Sequence, residues 1–499
     1  MKKEEDVKYI SFGRTAFMVL MIFGLIACGA SPPVGRAVDT TKIPITTASD
    51  EARDAFLKGR WLLDNLRATD AHEYFLKAVE ADLDFALAHL RVANTASTNQ
   101  EFFDALRRAV EMSVNASEGE KLLIEAFEEG FGGEPKIQQA KLEALVALFP
   151  EDERAHNTIG NFFYFNQQDY ERAISSYRVA IDINPDFPQP YNMLGYSLRI
   201  IGDFGAAEEA FQRYTELIPD QPNPYDSYAE LLMRVGRHDE SITSYEKALE
   251  IDPNFIASYI GIGNNQMFVG RQEDARSTFG EIDVMARNDG ERRQACTWRA
   301  ASYLHEEDFE SAFDEIQRRY DIAAETDDRG AMSGDFNVMG DIFLHAGRAD
   351  EAAKKYEAQL EMARSSDATD DVKEAIERNQ KWDLARVALW KANTEAASEL
   401  ANAYRDAVAA HNIRFEVQRT HELDGMLALA EGDLETALGH FEKADQQNPQ
   451  IWLLKARTYA AMGDPEGARS ACEQVIGFNQ LNFNLAYVRN TARELLESL

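Results

Sequence analysis

Cysteine is nearly absent: three in 499 residues, at positions 28, 296 and 472. So few thiols in so long a chain exclude a disulfide framework, and Cys296 and Cys472, on apolar helical positions, are expected as isolated buried thiols. Basic residues are also scarce, 52 against 86 acidic ones, for a formal charge of −34. That shortage excludes nucleic acid as a partner, because phosphate binding draws on clustered Lys and Arg. It equally excludes direct attraction to an anionic bilayer. The nine histidines are scattered, none at metal-ligand spacing from Cys or another His, so no metal site is expected. No Gly-rich loop runs into Lys-Ser/Thr, no H-E-x-x-H occurs, and "GIGNNQ" at 261–266 lacks the third glycine of a dinucleotide loop. With no recognisable catalytic constellation, the chain is expected not to be an enzyme and to need no cofactor.

A membrane-crossing length of apolar sequence is missing where one would look for it. The apolar run Ala16–Ala27 has 12 residues, short of the roughly 20 that a helix needs to cross a bilayer core. Lys2, Lys3, Lys8 and Arg14 precede it, mixed with Glu4, Glu5 and Asp6, which reads as the start of an export signal. Its end, Leu25-Ile26-Ala27-Cys28, resembles the bacterial lipobox. That resemblance implies cleavage before Cys28 and acylation of its thiol. Residues 1–27 are then a lipoprotein signal peptide. The Pro- and Thr-rich stretch 28–48, "CGASPPVGRAVDTTKIPITTA", reads as a flexible tether. Such an anchor implies the bacterial cell envelope. Under the sorting rule of enteric bacteria, Gly29 in place of Asp points to the outer rather than the inner membrane.

What the chain does have is repetition. "YNMLGYSLRIIGDFGAAEEAFQRYTELIP" (191–219) is followed by "YDSYAELLMRVGRHDESITSYEKALEIDP" (225–253) and "YIGIGNNQMFVGRQEDARSTF" (259–279). Tyr191, Tyr225 and Tyr259 are 34 residues apart, as are Gly202, Gly236 and Gly270. Each unit reads as two apolar-periodic helices around a Gly-containing turn. Small residues in the first helix (Gly195, Ala229, Gly263) and the second (Ala207, Ser241, Ala275) let the pair approach, while Phe211 and Tyr245 fill the wider gaps. Pro219 and Pro253 are expected to end the second helices. One hairpin cannot bury its apolar face alone, so neighbours must stack.

The 34-residue pattern of small and large positions resembles the tetratricopeptide-repeat family, most strongly over 153–282 and again at 56–82, 427–449 and 452–475. The expectation is an all-α, right-handed α-solenoid of about twelve helical hairpins with a C-terminal capping helix. Its segments are divergent repeats over 49–152, the best-matching repeats over 153–282, irregular helical repeats over 283–420, with an unusually long helix at 370–392, further repeats over 421–482, and a capping helix over 483–499. The five tryptophans are expected in the core. The resemblance implies a concave groove lined by first helices that takes a protein or peptide ligand. Transferring the lining positions gives Asn157, Asn161, Tyr164, Asn192, Tyr196, Arg199, Asp226, Glu230, Arg234, Asn264, Met267 and Phe268. Asn offers a donor and an acceptor for an extended backbone, and Tyr and Phe offer contact area. This set holds mostly Asn and acids where the family's carboxylate clamp has Lys and Arg, so recognition of an acidic chain terminus is not expected. Two functions follow: a lipid-anchored envelope scaffold or adaptor that binds proteins, or a surface lipoprotein that captures a glycan or other nutrient for a transporter.

Overall fold

A computed structural model describes residues 40–499 apart from 97, 98, 133, 134, 367, 369, 410 and 412. Cys28, the signal peptide and the tether up to residue 39 lie outside the described residues. Among the described residues there are 25 α-helices and no strand, and the helices run as twelve consecutive hairpins followed by one terminal helix. None of them is long and apolar enough to cross a membrane. Contacts divide the described chain into two compact units. The first holds 40–231 and 247–255, the second 232–246 and 256–499.

One hairpin of the first unit shows why the sequence folds this way. Helix Pro188–Ile201 starts with proline in its first turn and ends at Gly202, whose φ is +86°. Asp203 N donates to Leu198 O (3.0 Å) and Gly202 N to Arg199 O (3.3 Å), which satisfies the last carbonyls of the helix. Asp203 then caps the next helix, Phe204–Leu217, by accepting from Ala206 N. The same Gly-Asp turn recurs at Gly432-Asp433 and Gly463-Asp464 in the second unit. Where the hairpin halves meet, a Cβ on Gly195 would lie 2.7 Å from the Phe211 ring. Only a residue without a side chain permits that approach. Helix Phe204–Leu217 stops two residues before Pro219 and helix His238–Ile251 two before Pro253, as the prolines require.

The irregular 283–420 region keeps the same architecture with other turn chemistry. Glu307, Asp327 and Ala392 hold positive φ (59°, 53° and 54°) where the better repeats have glycine. Helix Asp370–Trp390, with 21 residues, is the long element foreseen there. Cys296 and Cys472 are free and buried. The tryptophans differ from expectation: Trp382 is buried, but Trp61 and Trp390 are 38% and 52% exposed. Their helices turn these positions outward.

The last part of the expected tether is docked on the first unit rather than free. Ile43 N donates to Asp152 Oδ2 and Thr46 N to Glu120 Oε1, both at 2.8 Å. Lys42 Nζ lies 2.6 Å from Glu153 Oε2. Ile43 and Ile45 pack against the apolar cluster of the N-terminal hairpins. Asp152 and Glu120 are 4% and 0% exposed, so these backbone donors complete carboxylates that would otherwise be buried with fewer partners.

The terminal helix Leu485–Ser498 covers the last hairpin, with Leu485, Val488 and Ala492 buried and Leu495 and Leu496 packed near Cys472. It does more than cap. Asn490 Nδ2 donates to His305 O (2.7 Å), Tyr487 stacks on His345 with ring centres 4.2 Å apart, and Arg489 lies over Phe268 at 4.7 Å. The C-terminal segment therefore folds back across the first helices of its own unit.

Candidate functional site

In the first unit, the expected lining residues lie along three successive first helices, Glu153–Phe162, Pro188–Ile201 and Pro222–Arg234, and those of the last two are linked. Arg199 Nη1 pairs with Glu230 Oε2 at 2.9 Å, both side chains mostly buried. The same guanidinium stacks over the Tyr196 ring at 4.8 Å, and Tyr196 donates its hydroxyl to Ser227 Oγ at 3.1 Å. Burial raises the Tyr164 hydroxyl to about 12, with Arg199 opposing the shift. Asn161 Oδ1 accepts from Tyr177 at 2.9 Å. The carbonyl oxygens of Asn157 and Asn192 are buried without a hydrogen-bond partner. Asp226 is 5% exposed.

The second unit does not supply the lining expected of it. Asn264 is 1% exposed and spends its amide on Ile260 O (2.9 Å). Met267 and Phe268 are buried, Phe268 between His238, His305 and the Arg489 guanidinium. Arg234 reaches Gly477 O (3.1 Å) and stacks over Phe478. At Phe268 and Arg234 the chain's own C-terminal segment takes the space.

Two constellations escaped the sequence. Arg60, Arg91 and Arg154, from three different first helices of the N-terminal hairpins, line one cavity with Asn157 and Asn161. Burial lowers Arg60 and Arg91 to about 10, with the Arg154 charge adding to both shifts and Asp64 and Asp152 opposing them. Their only signal was placement on first helices, and the weak repeat marks over 86–152 hid that register. His421, Asp424 and His440 also meet, the two Nδ1 atoms 3.2 Å apart. His421 and Asp424 share one helix face at i, i+3, and the hairpin turn brings His440 across. Arg405 holds Asp424, and burial followed by the charges of His440 and Lys443 lowers His421. The Arg405 and Lys443 charges oppose a metal ion at this cluster.

Family models for the tetratricopeptide repeat match residues 163–202, 188–221, 223–255 and 428–488. A comparison with curated proteins gives no match. Among solved structures, a tetratricopeptide repeat protein from Parabacteroides merdae ATCC 43184 is 14% identical; the match covers 52% of this chain and 97% of that one, with a TM-score of 0.39. MamA 41-end from Desulfovibrio magneticus RS-1 is 16% identical over 34% of this chain and 97% of its own, at 0.31. YrrB, described as a TPR protein with an unusual peptide-binding site, is 16% identical over 36% and 91%, at 0.27. The four matched segments are tetratricopeptide repeats, set within an array of helical hairpins.

Proposed function

We propose that the chain is a protein-interaction scaffold of the bacterial cell envelope, without catalytic activity of its own, held at a membrane by lipid on Cys28. The lipobox-like Leu25-Ile26-Ala27-Cys28 supports the anchor, and Gly29 favours the outer membrane. The observation that carries the binding role is the linked line Tyr196, Arg199 and Glu230 in the first unit, where aromatic contact area adjoins a charge pair. An extended peptide laid along first helices meets Asn192 and Asn161 for its backbone and this pair for its charged side chains.

Crosslinking in intact cells followed by mass spectrometry tests the reading. A specific envelope protein should be recovered with the natural chain and lost with Arg199→Glu, and the double variant Arg199→Glu/Glu230→Arg should recover part of it. Recovery of the same partner regardless of both variants would place the interaction elsewhere. Palmitate labelling should vanish in Cys28→Ser; labelling that persists removes the anchor and leaves the repeats untouched. Capture of a solute is the second reading, and the arginine-lined cavity of the first unit favours it.

A further inference from the structure

The first helices of the four N-terminal hairpins, Asp50–Asp64, Ala86–Thr95, Glu118–Gly132 and Glu153–Phe162, line, together with helix Pro135–Leu148, an open cavity of about 490 Å³. That size falls in the range of small-ligand sites, roughly 300–1,000 Å³. One part is apolar, with Leu90, Leu123, Leu142 and Phe162 among its walls. The other part is cationic in a chain that is otherwise strongly acidic.

The charges there do not balance. Among the lining residues, Arg60, Arg91 and Arg154 face Asp64 and Asp152. Arg154 is bound to Asp64 and Glu153, and Lys42 to Glu153. Arg60 and Arg91 have no carboxylate at ion-pair distance among the described residues. Arg91 meets only the neutral Asn94, whose amide, oriented to donate to Leu90 O, accepts from Arg91 Nη1 at 2.9 Å. The Nε donors of Arg91 and Arg154 are buried without an acceptor. Asn157 is 6% exposed, and its oxygen finds no donor. A half-turn of its amide presents Nδ2 at the same place. Arg60 and Arg91 are half-buried; guanidiniums partly withdrawn from water without an anion are costly to the fold, and one monovalent anion balances this set.

We propose that this cavity binds a small amphipathic monoanion, a carboxylate on an apolar acyl or aryl body, with Arg60 and Arg91 on the carboxylate and the leucines and Phe162 around the body. Guanidinium forks match a carboxylate in shape as well as charge. A small ligand fits better than an extended chain because the space narrows at the arginines. Ile43 of the docked N-terminal segment lies beside all three arginines in an adjoining space of about 30 Å³, and Asp152 fixes its backbone. The site shares Asn161 with the proposed peptide path but holds none of Tyr196, Arg199 and Glu230, so variants at Arg60 and Arg91 and variants at Arg199 test the two readings separately.

Calorimetric titration of the full chain with octanoate, octanol and octylammonium tests the assignment, since the three share one apolar body and differ in charge. Octanoate should saturate a single site, octanol should bind about tenfold more weakly, and octylammonium should give no saturable heat. Arg60→Gln and Arg91→Gln should each weaken octanoate about tenfold while holding or raising the thermal midpoint without ligand, because each removes a half-buried cation that no carboxylate pairs. Equal affinity for octanol and octanoate, affinity unchanged in both variants, or no saturable binding of octanoate would overturn the proposal. So would a peptide with a free C-terminal carboxylate that binds more tightly than octanoate and depends on the same arginines; the site would then belong to a chain terminus.

Discussion

Arg489 lies over the ring of Phe268, 4.7 Å from its centre, although 221 positions separate them in the sequence. The same guanidinium donates to Ile476 O (2.8 Å) and Asn479 Oδ1 (3.0 Å). One side chain thus ties the terminal helix to the repeat that carries Phe268. Replacing it should loosen both ends of that tie. Arg489→Ala is expected to cost about 2 kcal/mol in urea unfolding and to raise amide exchange over 256–268. Arg493→Ala, on the exposed side of the same helix, should stay within about 0.5 kcal/mol of the natural chain.

Turn chemistry gives a pair of opposite effects. Ala392 sits at φ +54° in a turn whose hydrogen bonds, Ala392 N to Leu389 O and Asn393 N to Ala388 O, copy those of the glycine turns. Relieving the Cβ there should stabilise, so Ala392→Gly is expected to gain about 0.5–1 kcal/mol. Gly432→Ala, at φ +82°, should lose about 1 kcal/mol or more in the same assay.

Asp335 is fully buried and accepts from two arginines, Arg293 at 2.8 and 3.0 Å and Arg319 at 2.7 Å. Asp335→Ala strands both guanidiniums and should cost about 3–5 kcal/mol. Asp335→Asn keeps an acceptor and should cost less. Denaturant titration ranks the two.

Burial, with Arg489 and Arg493 nearby, lowers His305 from 6.5 to about 3. Its folded pKa lies below its unfolded one, so below about pH 6.5 the unfolded chain takes up a proton that the folded chain refuses. The stability from keeping this ring neutral is complete above pH 6.5 and drains as the pH falls toward 3. His305→Gln removes that contribution. The stability gap between the natural chain and the variant should be flat above pH 7 and shrink below 6.5 by up to about 1.4 kcal/mol per pH unit. A gap independent of pH would mean the ring is already solvated in the fold.

The hairpins were legible because their signals are local. Gly202, Gly432 and Gly463 mark left-handed turns, Asp203 and Asp433 mark caps, and Gly195 with Phe211 marks a close helix pair sixteen residues apart. The groove was legible only in part. Tyr196, Arg199 and Glu230 meet, because repeat register fixes which way a first-helix side chain points. Register says nothing of what else arrives there, and so Asn264, Met267, Phe268 and Arg234 were expected open and are covered. The tether failed for a related reason: Pro and Thr composition describes a segment alone, while Asp152 and Glu120, more than seventy residues away, hold its end.

By itself the sequence determined the all-helical repeat, its 34-residue period, its acidic surface and the lipobox-like motif at Cys28, since each is written within a few turns of chain. Tertiary structure alone decided that Arg60, Arg91 and Arg154 meet with one positive charge to spare and that the C-terminal segment lies on Phe268. Both depend on contacts between residues far apart in sequence, which no local period encodes and only the stacking of hairpins brings within reach.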